Sequence, residues 1–326
     1  MDSHGAGGHS HVVIDPKIAS TRRGMQAIFA SLALLGATAA LQTVVSILSG
    51  SVALLADTLH NFGDAATAIP LWIAFTLLRR KPSPRFSYGY GRVEDLAGLA
   101  IVLTILASAA VAGYEALDRL LQPRPVEHLW AVAAASVVGF AGNAWVAVIR
   151  TRAGQAIGSA ALVADGQHAR TDALTSLGVL LGVAGVALGF PLADPLVGLL
   201  ITLAILRIVW DSGKTILTRM LDGVEPELLD EVRHAAEHVE GVREVTEVRL
   251  RWLGHWLHAE VNLALDPSLT LAEAHAIAVE ARHQLLHHLP FLSNAVIHPD
   301  PGGASGELHH GIAEHAHDEW PAHSHR

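Results

Sequence analysis

The sequence predicts a polytopic α-helical membrane protein, with six transmembrane helices followed by a cytoplasmic α+β domain in the order αββαβ. Hydrophobic residues make up 51% of the 326 and charged residues only 16%, where a soluble domain carries about a quarter. The charge is also unevenly placed. Apolar runs dominate from Met25 to Leu217, and charged residues and histidines return from Leu221 onward. Six apolar runs can be marked, at 25–48, 52–78, 95–119, 127–149, 159–189 and 194–217. Each is near the ~20 residues a helix needs to cross the hydrocarbon core.

Residues 1–20 are polar and glycine-rich and carry His4, His9 and His11. They lack the basic start and apolar centre of a signal peptide, so the first apolar run reads as a retained membrane span. Residues 21–220 then form the membrane domain. Its breaks are "SGS" at 49–51, "RRKPSPRFSYGYGR" at 79–92, "QPRPVE" at 122–127, "RTRAG" at 150–154 and "GFPLADP" at 189–195. Gly89 and Gly91 predict a tight loop in the second of these, anchored to the helix ends through Arg92 and Glu94. Gly and Ala recur inside the spans, as in packed membrane helices.

Orientation follows from Lys and Arg placement. Arg22, Arg23, Arg79, Arg80, Lys81, Arg85, Arg92, Arg150, Arg152, Lys214 and Arg219 fall on one side, and only Arg119 and Arg124 on the other. Six spans with both termini cytoplasmic satisfy that bias. The compact loops and missing signal peptide point to a bacterial inner membrane.

Residues 221–301 change character. "EPELLDEVRHAAEHVEGV" reads as an amphipathic helix, with Leu228, Leu229, Val232, Ala236 and Val239 on one side. "VREVTEVRLRWLG" and "HWLHAEVNLALD" alternate and read as paired strands. "LTLAEAHAIAVEARHQLLHHL" is helical again, and "NAVIHPDP" reads as a last short strand. Residues 302–326 are low-complexity and histidine-rich, and disorder is expected there.

Composition excludes several classes. There is no cysteine, so disulfides, thiolate metal sites and cysteine catalysis are ruled out. A formal net charge of -9 argues against nucleic acid as a partner. Histidine is abundant instead, with 21 copies.

The most informative feature is a repeat. "SVALLADTLHNFGDAAT" (51–67) returns 108 residues later as "SAALVADGQHARTDALT" (159–175), identical at nine of seventeen positions. Asp57, His60 and Asp64 in the second span correspond to Asp165, His168 and Asp172 in the fifth. His and Asp four apart share one helix face. Two such helices side by side bring together two imidazoles and two carboxylates, a four-ligand N/O set that Zn²⁺ accepts. Imidazole also suits other borderline divalent ions. Ionisable residues inside an apolar span are costly and are functional candidates by default. Asp57 and Asp165, one turn earlier, are left with two readings: lining an ion path, or bonding neighbouring helices.

The motifs "LLADTLHNFGDA", "ALVADGQHARTDAL", "RFSYGYGRVEDLAGL", "DPLVGLLI" and "VIHPDP" together resemble those of the cation diffusion facilitators, exporters of zinc and related divalent metals. The resemblance covers roughly residues 20 to 301. It implies six transmembrane helices, a cytoplasmic αββαβ domain like a metallochaperone, and a homodimer. It also implies a transport site of His60, Asp64, His168 and Asp172. Members with histidine in both pairs look zinc-preferring, and those with Asp instead look like manganese carriers. Regulatory metal in the cytoplasmic domain would fall on His258, His275, His298 and Asp300, with His234 or His238 contributing. Asn262 stands where many relatives carry His, which puts a binuclear cluster there in doubt. The loop 79–92 has neither His nor Asp, so the further site some relatives carry there is not expected.

The expected function is export of a divalent cation, Zn²⁺ first and Cd²⁺, Co²⁺, Ni²⁺ or Fe²⁺ as alternatives, with protons as the exchanged partner. Zn²⁺ binding to neutral imidazole and ionised carboxylate expels protons, and histidine titrates within the physiological range. The histidine-rich ends would capture metal weakly. A zinc-responsive membrane sensor would use the same ligands without net flux. A metal-dependent membrane hydrolase would need an open metal position and a base, and no HExxH motif is present.

Overall fold

The computed structural model describes residues 16–49, 68–122, 129–190, 192–289, 291–305, 312–317 and 320–325. The N-terminal part is a helical bundle of α1 (Pro16–Ser49), α2 (Ala68–Leu78), α3 (Arg92–Leu121), α4 (Leu129–Ile157), α5 (Ala160–Ala187) and α6 (Ala193–Met220). The C-terminal domain follows as α7 (Pro226–Glu237), β1 (Glu244–Leu253), β2 (Trp256–Leu265), α8 (Leu271–His288) and β3 (Leu292–Pro301). The expected αββαβ order is present.

Long helices form because the apolar runs are rich in Ala and Leu and poor in internal proline. Among the described residues, three of them, over Arg92–Leu121, Val132–Ile157 and Pro195–Met220, are long and apolar enough to cross a membrane. They also expose large apolar side chains, among them Leu103, Tyr114, Trp145, Leu200, Leu203 and Trp210. A soluble bundle would bury such residues, and lipid can cover them. Inside, Ile28, Leu71, Phe75, Ile101, Ile105, Leu162, Ile205 and Ile216 form one apolar core. Small residues let α3 and α6 approach closely. A methyl group added at Gly198 would lie 3.1 Å from Ala116, and one at Gly113 3.0 Å from Thr202.

One expected break is not a break. "RTRAG" lies inside α4, which runs on to Ile157, and the chain turns at Gly158 with φ 74°. Arg, Thr and Ala do not end a helix merely by ending an apolar run, whereas a left-handed residue does. Arg150 is therefore a helix residue with 1% exposure, not a loop charge. Similarly, α6 begins at Ala193, ahead of the expected start, because Pro195 is tolerated in a helix's first turn.

The C-terminal domain is a three-stranded sheet of order β1-β2-β3, with β1 antiparallel and β3 parallel to β2. The parallel pairing needs a crossover, which α8 supplies. Val245, Leu250, Leu257, Val261, Leu263 and Ala295 from the strands pack on Val232, Ala236, Ala281 and Leu285 of the two helices. A capping box starts α8. Thr270 Oγ1 accepts from the Glu273 amide and the Glu273 carboxylate accepts from the Thr270 amide; the Thr270 hydroxyl and amide hold the Glu273 carboxyl below its ordinary range.

The tail departs from the expected disorder. Ile312–His317 (β4) and Trp320–His325 (β5) pair antiparallel as a two-stranded sheet. Low hydrophobicity hid these strands, because a hairpin needs backbone pairing more than an apolar face.

The bundle and the C-terminal domain meet at the β1–β2 turn. His255, in that turn, donates its backbone N–H to Glu94 Oε2 at 3.2 Å and its Nδ1–H to the same oxygen at 2.6 Å. Both side chains are buried, at 0% and 1% exposure. Glu94 sits in the first turn of α3, where the helix dipole favours a carboxylate. The imidazole stacks on Phe75 of α2 at 5.5 Å. Arg219 of α6 lies 4.0 Å over the Trp252 ring and donates to the Gly158 carbonyl at 2.6 Å. Arg92 donates to the Arg219 carbonyl at 2.7 Å and pairs with Asp222. The loop aromatics join in: Tyr88 lies 4.9 Å beneath the Arg251 guanidinium.

Gly254 makes this approach possible. Its φ is 65°, and a Cβ there would lie 2.7 Å from Glu94 Oε2. Gly254→Ala should therefore destabilise the junction by about 1–3 kcal/mol, the usual range for strained backbone. Thermal denaturation of the purified protein in detergent should show it as a lowered midpoint. An unchanged midpoint would mean that the turn can relax away from α3.

Candidate functional site

The sequence repeat places its second copy in the middle of the bundle. Asp165, His168 and Asp172 fall at i, i+3 and i+7 on α5, which makes one stripe. All three are buried, with 0%, 1% and 5% exposure. His168 Nε2 lies 3.9 Å from Asp172 Oδ2. An imidazole and a carboxylate thus face each other one helical turn apart inside an apolar helix. The first copy, with Asp57, His60 and Asp64, lies outside the described residues.

The neighbours of this stripe are set by close helix packing. α5 packs along α4, and also against α6 and α3. Gly166, in the turn between Asp165 and His168, lies against α4: a Cβ there would sit 2.4 Å from Thr151 Oγ1 and 2.8 Å from its backbone nitrogen. Just beyond, Ala169 packs with Leu35 of α1 and with Val146 and Ala147 of α4.

The tight α4–α5 contact has an electrostatic partner. Arg150 Nη1 lies 2.9 Å from Asp165 Oδ2, with both side chains at or below 1% exposure. Arg150 Nε donates to Ser31 Oγ at 2.9 Å, and Ser31 Oγ donates to the Ile28 carbonyl at 2.9 Å. One guanidinium therefore links α5, α4 and α1. Of the two roles open to Asp165, this contact is of the helix-bonding kind. Sequence reasoning missed Arg150 because a cation at the edge of an apolar run looks like a loop residue. The available signal was the good helix propensity of "RTRAGQAI".

The cytoplasmic candidates are distributed over several elements. His298 and Asp300 on β3 are in contact, with Nε2 3.0 Å from Oδ1. Asp300 also accepts from Ser305 Oγ at 2.9 Å, and Ser305 meets Thr246 Oγ1 at 2.7 Å. Asn262, paired in register with His298, donates to Glu247 at 3.4 Å. His258 lies in β2 opposite Asn294, four residues along β3 from His298. His275 is exposed on α8. His234 is on α7 and His238 caps it. Among the described residues, no three His, Asp or Glu side chains are gathered closely enough to enclose a metal ion.

Apolar helices that bury an imidazole and carboxylates on one stripe make up a membrane protein built to handle a cation. The chain belongs to the cation efflux family: residues 28–221 match the cation efflux transmembrane domain, and residues 224–302 match the cation efflux protein cytoplasmic domain. It is 53% identical over 296 residues to a "probable cation efflux system protein" of Mycobacterium tuberculosis, covering 90% of this chain and 89% of that one. It is 29% identical over 273 residues to metal tolerance protein C1 of Arabidopsis thaliana, covering 78% and 57% respectively. Among solved structures, the manganese form of a MamM CTD variant matches 24% of this chain and 99% of its own, with 26% identity and a TM-score of 0.23. The protein is thus a divalent metal cation efflux transporter, integral to a membrane, with a helical transmembrane domain and an α+β C-terminal domain. It is a transporter and not an enzyme, which removes the hydrolase reading.

The Arg150–Asp165 pair makes a measurable prediction. Removing one partner leaves an uncompensated buried charge, which costs about 3–5 kcal/mol. Arg150→Gln and Asp165→Asn should each lower the thermal midpoint sharply, and the double substitution should recover most of the loss. Additive losses in the double variant would show that the two groups act independently.

Proposed function

We propose that this protein exports Zn²⁺ from the cytoplasm in exchange for protons, by alternating access, through a site of His60, Asp64, His168 and Asp172. The observation that carries this reading is the buried His168–Asp172 pair on α5, whose spacing recurs as His60 and Asp64 in the repeat. Two imidazoles and two carboxylates suit a borderline ion with tetrahedral preferences. They lack the thiolates that make structural zinc sites hold their ion permanently. Loading requires both imidazoles neutral and both carboxylates ionised, so metal entry releases protons and proton entry releases metal. Protons arriving from outside then drive release outward, and the empty protonated site returns.

The charge pattern of the loops supports an inner-membrane protein with both ends cytoplasmic. The name of the C-terminal family match, a cation efflux cytoplasmic domain, fits that orientation. We place the functional unit as a homodimer. Histidine in both ligand pairs, rather than aspartate, favours Zn²⁺ over Mn²⁺; Cd²⁺, Co²⁺, Ni²⁺ and Fe²⁺ remain chemically compatible substrates.

The test is zinc flux into proteoliposomes under an imposed pH gradient. Native protein should accumulate zinc while the gradient lasts and stop when an ionophore collapses it. His168→Ala should lower the rate by at least roughly tenfold, since even outer-shell partners of a metal site cost 10–100-fold when removed. Zinc accumulation that ignores the gradient would overturn antiport. Zinc binding with no flux under any gradient would leave a sensor.

A further inference from the structure

The histidines of the C-terminal domain fall into a different grouping from the one the sequence implied. α7 and α8 lie side by side and enclose a groove of about 870 Å³. Its lining includes Glu231, His234 and His238 from the α7 side and Glu280, Gln284 and His288 from α8. We propose that this groove is a second cation site, at which His238 and His288, with His234, take a borderline divalent ion such as Zn²⁺ or Ni²⁺ and tie α7 to α8.

Two hydrogen bonds carry the argument. His238 Nδ1 lies 2.7 Å from the His234 carbonyl oxygen, and His288 Nδ1 lies 2.9 Å from the Gln284 carbonyl oxygen. A carbonyl oxygen can only accept, so each Nδ1 must hold the proton. In the neutral ring the lone pair is then on Nε2. This is the tautomer that metal-binding histidines adopt, with the far nitrogen anchored by a second-shell acceptor. Two imidazoles on two different helices are thus prepared in the same way and line the same groove.

The surrounding groups suit the same ligand. His234 is one turn before His238, and their ring centres are 4.2 Å apart. Gln284 Nε2 donates to Glu280 Oε1 at 2.6 Å, which orients a carboxylate on the α8 side. Imidazoles with carboxylates select borderline ions over Mg²⁺ or Ca²⁺. The ligands are not drawn round one point as they stand. They are exposed, however, and exposed side chains change rotamer within nanoseconds. The site differs from the His298–Asp300 pair, which the strand alternation places on the opposite face of the sheet from α7 and α8.

The fold supplies its own control. His283 and His287 form another i,i+4 pair on α8, with ring centres 4.3 Å apart, yet neither lines the groove. The experiment is histidine acylation of the full-length protein in detergent, with and without added ZnCl₂, read residue by residue by peptide mass spectrometry. Zinc should slow modification of His234, His238 and His288 together and leave His283 and His287 unchanged. In His288→Ala, the zinc concentration needed to protect His234 and His238 should rise roughly 10–100-fold. An unchanged thermal midpoint would show that this exposed position does not disturb the fold. Protection of His234 and His238 that is unaffected by His288→Ala would overturn the inter-helix site in favour of a chelate on α7 alone. Equal protection at His283 and His287, or no protection in the groove, would overturn it as well.

Discussion

An ionised side chain in the interior of a membrane bundle must have a partner. The fifth helix carries two carboxylates and an imidazole at near-zero exposure, and most of the surrounding architecture answers that requirement. Asp165 is matched by Arg150, reached only because α4 continues past the apolar run and packs closely along α5. Asp172 faces His168, its Oδ2 3.9 Å from the imidazole Nε2. Two turns of one helix therefore hold one carboxylate against a guanidinium and one against an imidazole.

Much of this was legible in the sequence because it is local. Six apolar runs, the αββαβ order and the duplicated His–Asp spacing are all patterns within twenty or thirty residues. They fix which residues share a helix face. What could not be read depends on distant partners or on backbone shape. His255 and Glu94 are 161 positions apart, and neither is unusual where it stands. Arg150 was misplaced because hydropathy measures the end of an apolar run and not the end of a helix. The hairpin in the tail was missed for the converse reason, since its strands have no apolar face to announce them.

The loop between the second and third helices lies at the junction with the C-terminal domain. It carries neither His nor Asp. Direct contacts join the two parts there. Arg251 covers Tyr88, the backbone at Gly254 allows His255 to reach Glu94, and Arg92 ties the end of α6 to the start of α3. In the C-terminal domain the Asn262 amide is engaged with Glu247.

The junction at His255 also sets how the molecule can respond. The turn touches Phe75 on the second helix and Glu94 on the third, while Arg219 on the sixth holds the adjoining tryptophan. All of these contacts meet within a few residues of one tight turn. The turn thus couples the C-terminal domain to α2, α3 and α6 at one place. Strain arising in that domain would therefore reach three membrane helices through a single turn.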